Sequence, residues 1–123
     1  MKVTNVLFWV ADNTVSVKFY KKLGFAVVRS DHEYSEVELG GFKIGLITMR
    51  DDAEFAHDAL AGERGKGMYV YVGVDDVDAK YEELKNLGIQ ASAEPRDWPW
   101  GNREFVVKDP DGYKLCFWAP KQS

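Results

Sequence analysis

The chain has 123 residues, 46% of them hydrophobic and 29% charged, with a formal net charge of −4. That size and balance describe one folded domain with a real core, and they exclude disordered and fibrous classes. No apolar run nears the ~20 residues needed to span a bilayer, no basic-then-apolar leader opens the chain, and the acidic balance argues against nucleic acid as a partner.

The first predicted element is a strand in which Val6, Phe8 and Val10 alternate with Asn5, Leu7 and Trp9. Asp12 or Asn13 then caps a helix whose apolar positions, Val15, Phe19, Tyr20 and Leu23, recur at helical spacing until Gly24 stops it. Lys21 and Lys22 fall in the last turn, where they offset the helix dipole. Three short strands follow at roughly 25–30, 34–39 and 42–48. A polar connector over 50–66, with room for a short helix around 52–60, leads to a second strand carrying Val70, Val72 and Val74. Asp75 or Asp76 caps a second helix with Val77, Tyr81, Leu84 and Leu87 as its stripe, and Gly88 ends it. Strands at roughly 89–93, 103–108 and 113–118 complete the chain. The last two are joined by Asp109-Pro110-Asp111-Gly112, a strong turn because Pro presets φ and Gly accepts positive φ.

The two halves are copies. Residues 10–25 lie over residues 74–89 at a constant shift of 64, so that Val10 meets Val74, Asp12 meets Asp76, and Leu23-Gly24 meets Leu87-Gly88. Gly41-Phe42-Lys43-Ile44 matches Gly112-Tyr113-Lys114-Leu115 at a shift of 71. The unit is βαβββ, twice, at about 1–49 and 67–119 within one α+β domain. Two such copies are expected to build curved mixed sheets around a shared cleft.

The strand–Asp–helix–Leu-Gly-Phe opening and the closing Asp-Pro-Asp-Gly strand resemble the vicinal oxygen chelate superfamily, which includes glyoxalase I, extradiol dioxygenases, fosfomycin-modifying enzymes and bleomycin resistance proteins. The resemblance covers essentially the whole chain. Pro99-Trp100-Gly101-Asn102-Arg103-Glu104-Phe105, followed by Asp109-Pro110-Asp111-Gly112, is most similar to the bleomycin resistance branch, with Asn102 as a one-residue departure.

In the enzymatic members each half supplies one metal ligand from its first strand and one from its last. The matching positions are Asn5, Gly45, Tyr69 and Cys116. None is the His or Glu that the resemblance calls for, so no metal and no cofactor are expected. His32 and His57 fall in a turn and in the connector. As the only cysteine, Cys116 can form neither an internal disulfide nor a cysteine cluster, which points to a reducing cytoplasm.

Strand alternation puts Asn5, Leu7, Trp9, Lys43, Gly45 and Ile47 on the non-helix face of the first half. Tyr69, Tyr71, Gly73, Lys114, Cys116 and Trp118 take that face in the second. Trp9, Tyr69, Tyr71 and Trp118 would line it, with Gly45 and Gly73 leaving room for a flat ligand. The same aromatics could instead pack on one another or on a second subunit. Trp98 and Trp100 sit on a loop between strands and need a cover, either a ligand or another chain. By resemblance Trp100 lines a groove between two subunits, and one of Arg103 and Glu104 points inward. Acidic residues cluster at Asp31, Glu33, Glu36 and Glu38 and again at Asp51, Asp52, Glu54 and Asp58. They suit a cationic ligand or simply form solvated faces.

The resemblance therefore implies a homodimeric, metal-free binding protein. Such a protein would sequester a planar, cationic molecule such as a bleomycin-type antibiotic through Asn5, Trp9, Tyr69, Tyr71, Trp98, Trp100, Arg103, Cys116 and Trp118. The alternative is a lyase or oxygenase of the same superfamily with an atypical or absent metal site.

Overall fold

A computed structural model describes residues 1–48 and 63–122. The helix expected around 52–60, His57 and the acidic group at 51–58 lie outside the described residues. Contacts divide the chain into two compact units, Met1–Arg64 and Gly65–Ser123.

The first unit runs β1 (Val6–Val10), α1 (Asn13–Leu23), β2 (Ala26–Ser30), β3 (Tyr34–Leu39) and β4 (Phe42–Thr48). Its sheet has the order β1-β4-β3-β2, with β1 parallel to β4 and the other pairs antiparallel. The second unit repeats the scheme with β5 (Val70–Gly73), α2 (Val77–Asn86), β6 (Arg96–Asp97), β7 (Asn102–Lys108) and β8 (Lys114–Pro120), in the order β5-β8-β7-β6. The βαβββ repeat read from the sequence is the fold: an α+β arrangement of two four-stranded mixed sheets, each with one helix. No helix among the described residues is long and apolar enough to cross a membrane.

Each helix covers one face of its own sheet. In the first unit Phe8, Val10, Val37, Ile44 and Leu46 are buried on that face, together with Val17, Tyr20 and Leu23 of α1. In the second, Phe105, Val107, Leu115 and Phe117 are buried with Val77 and Leu84 of α2. The opposite faces keep large side chains exposed, Leu7 in one unit and Tyr69 and Tyr71 in the other.

The helix ends show why the repeat folds as it does. Asp12 and Asp76 have extended backbones, and their carboxylates accept from the amides of Thr14 and Ala79. At the other end the Phe25 amide donates to the Tyr20 carbonyl and Gly24 to Lys21. The second copy repeats this with Ile89 to Leu84 and Gly88 to Lys85. Both are Schellman closures, and Gly24, with φ of 112°, takes the left-handed residue the motif requires. The apolar residue after each glycine, Phe25 or Ile89, then folds back into the core.

Two details depart from the repeat. Asn13 is buried, donates to the Asp31 carbonyl and the Ser35 hydroxyl, and accepts from the Thr48 hydroxyl, so α1 is pinned to β3 and β4 by a polar network. The equivalent residue in the second copy is Val77, which packs as a hydrophobe. The strand expected at 89–93 does not form. Only the Ser92 amide reaches β7, at the Val106 carbonyl, and pairing starts at Arg96–Asp97, after Pro95, which has no amide hydrogen to donate.

Candidate ligand-binding face

The open face of the second unit is set by the register of β5, β8, β7 and β6. Tyr71 lies beside Cys116, Gly73 beside Trp118, Trp118 beside Glu104, and Glu104 beside Arg96. Tyr69, just before β5, meets Tyr71 edge-on with ring centroids 6.5 Å apart. Trp98 and Trp100 flank Pro99 in the turn between β6 and β7. This turn is closed by the Trp98 amide on the Asn102 carbonyl and the Gly101 amide on the Trp98 carbonyl. The two indoles stack at 4.7 Å and 14°, and the Arg96 guanidinium lies 3.5 Å from the centre of the Trp98 ring. Trp100 remains 60% exposed, so the stack is built but its outer member is uncovered within this unit.

Glu104 anchors this face. It is only 5% exposed and accepts from four neutral donors. Trp100 Nε1 (3.1 Å) and Asn102 Nδ2 (3.3 Å) reach one carboxylate oxygen, while Cys116 Sγ (3.4 Å) and, at a longer 3.5 Å, the Tyr71 hydroxyl reach the other. Burial beside this carboxylate pushes the Cys116 thiol up to about 12, and the Tyr71 hydroxyl rises to about 12 through burial and its neighbours Cys116 and Glu104. Both are neutral hydrogen-bond donors at physiological pH. A small cavity of about 110 Å³ opens alongside, lined by Arg96, Trp98, Glu104 and Val106 among others. It is smaller than the ~300 Å³ of a typical drug-sized ligand pocket.

Of the residues expected at the site, Tyr69, Tyr71, Trp98, Trp100, Cys116 and Trp118 share this face. Asn5, just before β1, and Trp9, beside Ile47, belong to the first unit. Arg103 does not join them. Its register partner is Ala119, and its guanidinium holds Asp78 of α2 in a bidentate pair (2.9 Å each) and Asp97 at 3.3 Å. That pairing keeps Asp78 below the usual carboxylate range and raises Arg103. Of the Arg103–Glu104 pair, Glu104 is therefore the one on the open face. Sequence reasoning left the choice open because alternation gives no absolute phase without the strand pairing. His32 sits exposed in the β2–β3 turn, away from any strand face.

The room expected at Gly45 is already occupied, since an added Cβ there would meet the Tyr34 hydroxyl at 2.8 Å and Leu7 at 3.1 Å, whereas one at Gly73 would make only ordinary contact with the Trp118 indole at 3.7 Å. The close approach of Tyr34 also shows that nothing bulky could be restored at position 45 without moving that ring. The donors at the four positions matching the family's metal ligands are an amide, no side chain, a phenol and a protonated thiol. They do not fit a divalent ion that takes imidazole and carboxylate. Among the described residues no three His, Cys, Asp or Glu side chains converge.

The family model described as "Glyoxalase/Bleomycin resistance protein/Dioxygenase superfamily" matches residues 2–117. The chain belongs to this superfamily. It is 30% identical over 118 residues to the uncharacterized protein YraH of Bacillus subtilis (strain 168), covering 90% of this chain and 92% of that one. It is 27% identical to the lactoylglutathione lyase of Haemophilus influenzae, over 95% of this chain and 91% of the lyase. It is 26% identical to the bleomycin resistance protein of Geobacillus stearothermophilus, over 93% of each. Among solved structures, a glyoxalase/bleomycin resistance protein/dioxygenase from Nocardioides superposes with a TM-score of 0.80 at 26% identity, covering 100% of this chain and 85% of that one. Superfamily members of this size thus include both a named enzyme and a named resistance protein, and the fold itself does not choose between them.

Proposed function

We propose that this superfamily member is a metal-independent small-molecule binding protein of the bleomycin resistance type. It holds a planar, cationic ligand against the aromatic open face, in the cytoplasm and as a homodimer in which Trp100 lines a ligand groove between the two chains. The carrying observation is the preformed Trp98–Trp100 stack, clipped to Glu104 by the Trp100 indole and exposed on its outer side. An exposed indole held in one orientation offers stacking area with little ordering cost on binding, which is what a sequestering protein needs. Similarity to a bleomycin resistance protein over nearly the full chain supports the same reading. The mechanism is stoichiometric, and no bond is made or broken.

Similarity to a lactoylglutathione lyase keeps an enzymatic reading as the second one. Against it, Cys116 is a protonated, buried thiol and so a weak nucleophile at neutral pH. Metal-binding positions filled by Asn5, Gly45, Tyr69 and Cys116 supply no conventional ligand set.

The test is a tryptophan-fluorescence titration with metal-free bleomycin, on wild type and on Trp100→Ala. Saturable quenching that weakens at least about tenfold in Trp100→Ala, with an unchanged circular dichroism spectrum, is the expected result. A flat wild-type titration removes bleomycin as the ligand. Undiminished binding by Trp100→Ala removes the stack as its site.

A further inference from the structure

We propose that Glu104 is a concealed counter-charge for an organic cation stacked on Trp100 and Tyr71. This assignment rests on the binding reading above and adds the residue that selects the ligand's charge.

A buried carboxylate is normally matched by a cation, because burying one unpaired costs more than neutral hydrogen bonds return. Glu104 is buried, yet its four hydrogen-bond donors are all neutral. Each nearby cation of the unit is engaged elsewhere. Arg96 is strand-paired opposite Glu104 but lays its guanidinium on Trp98, Lys114 lies 5.4 Å over Tyr69, and Arg103 is bound to Asp78 and Asp97 on the other face. Among the described residues no ion pair reaches Glu104, so its negative charge is solvated by the site without being cancelled there.

That charge is felt through two exposed rings. The Trp100 indole N–H and the Tyr71 hydroxyl both donate to the carboxylate, and both rings are more than half exposed. A donor held on an anion is polarised toward greater electron density in its ring, which strengthens attraction for a cation on the ring face. All four acceptor directions of the carboxylate are taken, so the ligand meets the charge behind the aromatic surface and not a direct salt bridge. The arrangement therefore selects planar or alkyl ammonium, amidinium and guanidinium groups over neutral rings of the same shape.

The full chain is titrated with 9-aminoacridine, protonated at neutral pH, and with acridine, its near-isosteric neutral counterpart, at pH 7.5. Wild type is expected to prefer the cation by about tenfold or more. Glu104→Gln brings the ratio near one. Val106→Lys, which puts a cation beside Cys116 on the same face, does so while leaving the carboxylate in place. Equal wild-type affinity for the two dyes, or a ratio unchanged in a folded Glu104→Gln or Val106→Lys, overturns the counter-charge and leaves the stacking site standing. Binding of metal-free bleomycin with neither dye bound does the same. Failure of the dyes and bleomycin alike overturns the binding reading, and the counter-charge with it.

Discussion

At position 45 the side chain that matters belongs to another residue. Gly45 reads in the sequence as an emptied place on a ligand face, yet Tyr34, hydrogen-bonded to Glu36 at 2.8 Å, fills the space above it. Gly45→Ala should displace the tyrosine ring, break that bond and cost about 1–2 kcal/mol in a urea denaturation. In a Tyr34→Phe background, where the obstructing hydroxyl is gone, the loss should shrink, and a double-mutant cycle measures the coupling. Such filling was not legible beforehand, because it depends on which β3 residue lies across from β4. Glu104 was hidden in the same way: its type and position were plain, but its face was not. The aromatic residues were easier, since alternation along β5 and β8 puts Tyr71, Cys116 and Trp118 together once one face is known to carry the helix.

Among the elements, the helix starts differ in strength despite matching sequences. Asp76 supplies an exposed cap, and Asp76→Ala should cost about 1 kcal/mol. Asn13 is different. Asn13→Ala leaves the buried Ser35 hydroxyl without its donor and deprives the Thr48 hydroxyl of its acceptor, and should cost about 2 kcal/mol, read as a larger drop in urea midpoint than Asp76→Ala gives. The internal repeat predicts both helices, both caps and both glycine closures, because these are set by residues within a few positions of one another. It misses the Asn13 network, whose partners are 22 and 35 positions away, and it overestimates the strand after α2, where Pro95 delays pairing. Local chemistry was readable, whereas chemistry closed by the sheet register was not.

For the whole molecule, the hydrogen-bond donors around Glu104 set an alkaline limit. The Cys116 thiol, ordinarily near 9, is pushed to about 12 in the folded chain, and the Tyr71 hydroxyl moves in the same direction. With folded values raised, the native state keeps protons that the unfolded chain releases. The stability they confer is complete below about pH 9 and is lost as pH climbs toward 12. Melting temperature should therefore fall across that window, and more gently in Cys116→Ala. At neutral pH the same thiol should react with a disulfide reagent only after denaturation. The overall plan, two βαβββ units from a doubled sequence, was legible from the constant 64-residue offset, and the family match over residues 2–117 agrees with it.

The Trp98–Gly101 turn has a consequence for how such a protein could change its ligand. Its backbone closes on itself and on Asn102, and Trp100 contributes no bond to the sheet ladder. The residue at position 100 can then be exchanged, aromatic for aliphatic or polar, without altering the pairing of β6 with β7. On the proposed reading, selection for a new compound can act there while the architecture is conserved, so descendants of one scaffold could diverge in what they capture through changes confined to a four-residue turn.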